Sequence, residues 1–107
     1  MNSVPIRFEV KINGKPIAIT GVGSFGVLTA IVHWVRRNPD AITEKMLASP
    51  EFNKESFLKE VCELEMTALN SVKDENSSWG RHSLQAGDEV TIRVLSSGEY
   101  DVPNNAS

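Results

Sequence analysis

Hydrophobic and polar residues alternate strictly at the start of the chain. Ile6, Phe8, Val10 and Ile12 are apolar, while Arg7, Glu9 and Lys11 are charged. A period of two belongs to a strand with one buried face. Asn13-Gly14 follows, a dipeptide that accepts the positive φ a type I′ turn needs at both central positions. A two-residue loop pairs Ile12 with Lys15, and counting back it pairs Val10 with Ile17 and Phe8 with Ile19. The apolar residues of these pairs share one face, so turn and pattern predict the same register. Pro16 then opposes Lys11 at a non-hydrogen-bonded position, where its missing N–H costs the ladder nothing.

Residues 27–37 fit two periods. As a helix, Thr29, His33 and Arg36 would form a polar stripe. As a strand, Leu28, Ala30, Val32 and Trp34 share one face, and Thr29, Ile31, His33 and Val35 share the other. The β-branched content of this run, and the absence of Glu, Lys or Gln, predict the strand, with Trp34 in the core. Asn38-Pro39-Asp40 ends it. Helix is expected between residues 40 and 61, as a piece over Ala41–Ala48 and a second after the break at Ser49-Pro50. Cys62, Leu64, Met66 and Ala68 then alternate with Glu63, Glu65 and Thr67, another half-buried strand. Asn70 to Gly87 reads as a polar connection holding Trp79, and Val90, Ile92 and Val94 mark a last strand.

The fold class expected is α+β: a small single domain over residues 1–97, dominated by an antiparallel sheet of about five strands. Those strands lie near 4–13, 16–22, 27–37, 62–70 and 88–96, with helix between 40 and 61 and a flexible tail over 98–107. Strand 27–37 is expected beside strand 16–22, antiparallel to it.

At 107 residues the chain can build one core but not two. Its net charge of -3, spread along the length, excludes a general attraction for nucleic acid or an anionic membrane. The opening MNSVPIRFEVK lacks the apolar region of a signal peptide, and no apolar run reaches membrane-spanning length. The expected compartment is the cytoplasm. Cys62 is the single cysteine, so neither an intrachain disulfide nor a multi-thiolate zinc site is expected. No cofactor or metal is expected.

Gly21, Gly23 and Gly26 stand in the order G-x-G-x-x-G, the spacing of a phosphate-cradling loop. A dinucleotide fingerprint needs a strand that turns directly into a helix within a parallel βαβ unit. Here the preceding strand is already paired in a hairpin, and Asp40 begins a helical stretch instead of ending a second strand. GVGSFG is also similar to the glycine loop of protein kinases. Leu28 stands at that loop's valine position, however, no lysine follows in the next strand, and H-R-D and D-F-G are absent. The loop is therefore expected to be a turn. An alternative function would set it, with the basic spot of His33, Arg36 and Arg37, against an anion or nucleotide.

The segment SSWGRHSLQAGDEVTIRVL, residues 77–95, resembles the closing segment of β-grasp sulfur-carrier proteins, the ubiquitin-like partners in thiamin and molybdopterin synthesis. The shared features are a Trp, then Leu84, Gly87-Asp88 and an alternating strand, after an opening hairpin. The resemblance implies an alternative fold, a β-grasp with residues 27–37 helical. Such carriers end in Gly-Gly, whereas this sequence ends Val102-Pro-Asn-Asn-Ala-Ser107, so carrier chemistry is not expected.

Catalytic groups do not converge. His33 and His82 are distant, Cys62 lies on the apolar side of its strand, and Glu63 and Glu65 suit a wet sheet face. The function expected is that of a non-enzymatic binding or protein-interaction module. It would engage a protein partner, or a second copy of itself, through an exposed strand edge or through loops carrying Phe25 and Trp79. Exposed aromatics anchor interfaces, although either ring could instead fold back over a sheet edge.

Overall fold

The computed structural model describes residues 4–106. The alternating segments form strands, but in two sheets instead of one. The first sheet holds β1 (Arg7–Ile12), β2 (Lys15–Gly21) and β6 (Val90–Leu95), in the order β2-β1-β6. The second holds β3 (Gly26–Val35), β4 (Val61–Asn70), β5 (Glu75–Ser83) and β7 (Asn105–Ala106), in the order β3-β4-β5-β7. All pairings are antiparallel. The molecule is thus a small domain dominated by antiparallel sheets with a few short helices.

Asn13 and Gly14 adopt φ of 53° and 78°, and Ile12 pairs with Lys15 as the turn requires. Beyond Pro16 the expected register fails by one residue. A bulge opposite Val10 and Lys11 pairs Val10 with Ala18 and Phe8 with Thr20, where Ile17 and Ile19 were expected. Ala18 and Thr20, with Gly21 at the end, are therefore the buried residues of β2. The apolar alternation Ile17/Ile19 misdirects the reading because an inserted residue reverses the faces beyond it.

β2 and β3 do not pair. The glycine segment carries the chain from one sheet to the other, and β3 pairs with β4 across its whole length, from Gly26 opposite Asn70 to Val35 opposite Val61. Since residues 26–35 are strand, the β-grasp alternative with a helix there does not hold. The helix expected between 40 and 61 is reduced to a 3-10 turn at Pro39–Ala41, α1 (Glu44–Ala48) and α2 (Lys54–Leu58), none with a buried residue. Each piece is started by a side-chain cap, from Asn38, Thr43 and Asn53 in turn. Pieces of one turn or so are below the length at which a helix propagates by itself.

The core lies where the sheets face each other: Val10 and Ala18 from the first, and Leu64, Met66, Ala68 and Trp79 from the second. Trp79 belongs to β5, a strand that polar composition had disguised as a connection. Leu28 and Ala30 pack against this core, but the first sheet stops short of the far half of β3. Trp34, expected in the core, is consequently 59% exposed. The described part of residues 98–107, expected to be a flexible tail, is bonded at several points. Asp101 accepts from Ile19 N and donates its own N–H to Ile19 O, and Asn104 N donates to Ser78 O.

Candidate functional site

The strands at the sheet borders, β2, β6 and β3 together with β5 beneath the short β7, differ in how their free sides are treated. β2 starts with Lys15-Pro16, and its Ile19 is hydrogen-bonded on both N–H and C=O by Asp101. β5 is covered by β7 and by Asn104, which bonds the Ser78 and Trp79 carbonyls. β6 has six residues and carries Arg93. β3 has ten residues, GVLTAIVHWV, with no Lys, Arg, Glu, Asp or Pro. Among the described residues no hydrogen bond reaches the backbone of β3 on the side away from β4. Charge, proline, short length and a covering segment are the usual protections of a sheet edge. β3 has none of them.

Both faces beside this edge expose apolar side chains, with Thr29 and His33 interspersed on the outer one. Val32 and Trp34 stand on the inner side, past the limit of the first sheet, with Val32 53% exposed. Val27 and Ile31 stand on the outer side and are also exposed. Farther in, the outer side turns polar. His33 lies 3.3 Å from Glu63, and Arg81 from β5 bridges Glu63 and Glu65. These groups satisfy one another across adjacent strands, the ordinary arrangement of a wet sheet face.

At the far end of β3 the side chains hold each other. The Trp34 indole N–H donates to Glu60 Oε2 at 2.6 Å, and Arg36 Nη2 reaches the same oxygen at 3.1 Å while stacking on the Trp34 ring. Arg37 stacks on Phe57 and donates to its carbonyl. The indole hydrogen bond first, and the Arg36 guanidinium second, hold the Glu60 carboxyl below the usual glutamate range. A depressed carboxylate contributes its anchoring above the unfolded pKa and loses it as pH falls through the lower folded value. Trp34 emission is therefore expected to change with a midpoint below that of an ordinary glutamate. Glu60→Gln should abolish that transition, and an unaltered titration in the variant would show that Trp34 is held by something else.

The residues singled out from the sequence do not assemble into one site. His33, Arg36 and Arg37 lie near the end of β3, whereas the glycine loop precedes its start. A ten-residue strand separates them by about 30 Å. Each of the three has a partner within the protein. Phe25 is 67% exposed in the loop before β3. Trp79, by contrast, is 4% exposed, and its indole N–H donates to Asp101 O at 2.9 Å. It is a core residue of a strand and not a loop anchor. Glu60 and the free side of β3 were missed, although the uncharged run without Lys or Pro was visible in the sequence.

The glycine segment has strands on both sides, so no helix N-terminus stands behind its amides. The hollow beside it, 380 Å³, is lined by Val4, Ile6, Phe8, Val22 and Leu28 with Ser24, and no basic group. A 450 Å³ depression on the outer face, between Val27, Thr67, Leu69 and Asn76, holds no titratable group. Among the described residues no three His, Cys, Asp or Glu side chains could share a metal ion. Among the described residues no helix is long and apolar enough to cross a membrane. Comparison with protein-family models, with curated proteins and with solved structures gave no match.

Proposed function

We propose that this chain is a non-enzymatic interaction module that takes up a strand along the free side of β3. One observation carries the reading: β3 is a ten-residue edge, uncharged and uncovered among the described residues, in a molecule whose β2 and β5 edges are blocked. An incoming strand would satisfy the outward N–H and C=O groups of alternate residues, and Val27, Ile31, Val32 and Trp34 would supply side-chain contacts. The hollow beside the glycine segment and the depression on the outer face lack the convergent nucleophile and base that an enzyme needs. The alternative anion or nucleotide site gains no support from a glycine loop and a basic spot at opposite ends of one strand. A lone thiol at Cys62 suits a reducing compartment such as the cytoplasm.

The test is affinity capture from cells that produce the tagged protein, comparing wild type with Val32→Lys and Phe25→Ala. A lysine on an edge strand obstructs pairing with another strand. Co-captured chains should fall at least about tenfold with Val32→Lys and stay near wild type with Phe25→Ala. Equal capture by wild type and Val32→Lys would rule out β3 as the binding edge. Trp79→Ala is unsuited to this comparison because it removes core.

A further inference from the structure

We infer that the strand taken up by β3 is β3 of a second copy of this chain, paired antiparallel about a two-fold axis at Ile31. This rests on the strand-addition reading above and names its partner.

The first argument is area. The molecule exposes 7874 Å², whereas a compact monomer of 11.8 kDa exposes about 5,900 Å². Its radius of gyration, 17.7 Å, exceeds the about 13 Å of a compact chain of this length. The excess, roughly 2,000 Å², is more than the about 800 Å² that each partner buries in a standard interface. Val27, Ile31, Val32 and Trp34 of β3 are among the residues that leave this surface open.

The second argument is geometric. A two-fold that joins antiparallel edges runs perpendicular to the sheet, so each residue faces one from the same side of the partner's sheet. Residue numbers in a facing pair must then sum to an even number. Two such registers overlap the strand almost completely, one centred on Ala30 and one on Ile31. Centring on Ala30 sets Trp34 against Gly26 and leaves Val35 out. Centring on Ile31 sets Trp34 against Leu28, Val32 against Ala30, Val27 against Val35, and Ile31 against itself. Exposed apolar side chains then meet apolar side chains on both faces, with Thr29 opposite His33. No Lys, Arg, Asp or Glu lies within the paired stretch, and the two copies of His33 stand about 13 Å apart along the strand, so self-pairing brings no like charges together. Arg36 and Arg37 of the two copies fall at opposite ends of the ribbon. The product is one continuous eight-stranded sheet, β7-β5-β4-β3 followed by its two-fold mate.

The experiment uses the purified full chain alone. Light scattering after size exclusion at about 100 µM should give twice the 11.8 kDa monomer mass. Val32→Lys should raise the dimer dissociation constant at least about tenfold. Because Val32 is exposed, that variant should keep its far-ultraviolet spectrum. In a Cys62→Ser background, single cysteines at positions 27 to 33 then report the register under mild oxidation. Disulfide formation should peak at Ile31→Cys, whose two copies face each other within disulfide reach. It should fall away at Thr29→Cys and His33→Cys, whose copies are about 13 Å apart along the strand. A monomer at this concentration, or cross-linking equal at every position as in a parallel pairing, overturns the inference. If wild type is monomeric while Val32→Lys still loses its captured partner from cells, the edge binds another protein. In that outcome only the self-pairing falls.

Discussion

Trp79→Ala is expected to lower the unfolding free energy by about 3–5 kcal/mol, the usual range for removing a buried aromatic side chain. Few residues are fully buried here, and Trp79 is the largest of the core cluster. It joins β5 to the strands of the other sheet, so its loss opens a void where both sheets meet. Total stability of small domains is about 5–15 kcal/mol, and a core this small belongs near the lower end. Much of the population should therefore unfold at moderate denaturant. Trp79→Phe keeps most of the apolar volume but loses the donor to Asp101 O. It should cost less, near the about 1 kcal/mol of a single hydrogen bond plus a small packing term. Urea titrations of the three proteins check the order. If Trp79→Ala cost no more than Trp79→Phe, the aromatic ring would not be part of the core.

Gly26→Ala should be the second severe change, although it adds one methyl group. A side-chain carbon at Gly26 would overlap the Leu69 carbonyl oxygen and press on Val22. The obstacle is backbone belonging to the paired strand β4, so it cannot swing aside as a long side chain would. The link between sheets is also held from the other direction. Asn70 donates to Val22 O, and Ser71 N donates to Phe25 O. A shift of Gly26 therefore strains both the first β3–β4 pair and this clamp. About 3 kcal/mol or more is expected, at the high end for a point substitution. Gly87→Ala is the control. Its φ is 97° but nothing lies within 4 Å of the added carbon, so only the left-handed backbone is penalised, by about 1–2 kcal/mol. Equal losses in the two variants would show that conformation, and not the Leu69 carbonyl, is what Gly26 relieves.

What the sequence made legible follows from how local each signal is. The turn at Asn13-Gly14, the alternation of β1 and β4 and the strand character of β3 each depend on neighbouring residues, and all are found in the structure. The slip in β2 depends on a single inserted residue, which alternation cannot reveal. β5 reads ENSSWGRHS, nearly all polar, and becomes a strand because β4 and β7 flank it; tertiary pairing overrides its weak propensity. The assignment of strands to two sheets is likewise non-local. It decides why Trp34 is exposed and Trp79 is buried, the reverse of what their surroundings in sequence suggest. The candidate edge was half visible: its lack of charge could be read directly, but its freedom depends on β2 pairing with β1 alone.

The contacts made by residues 96–104 have a consequence for the order in which the molecule can form. Arg7 donates to the carbonyls of Ser96 and Glu99, Asp101 bonds Ile19, and Asn104 reaches Ser78 and Trp79. The first strand and the last segment of the described chain thus close one another, across nearly the whole sequence. A ribosome releases the opening hairpin and the β3–β4 pair well before it releases the residues that close them. Such distant contacts also slow folding, since long loops must close before they are rewarded. Through that interval the side of β3 away from β4 stands uncovered, and on the proposed reading nascent neighbours on one message are the chains nearest to it.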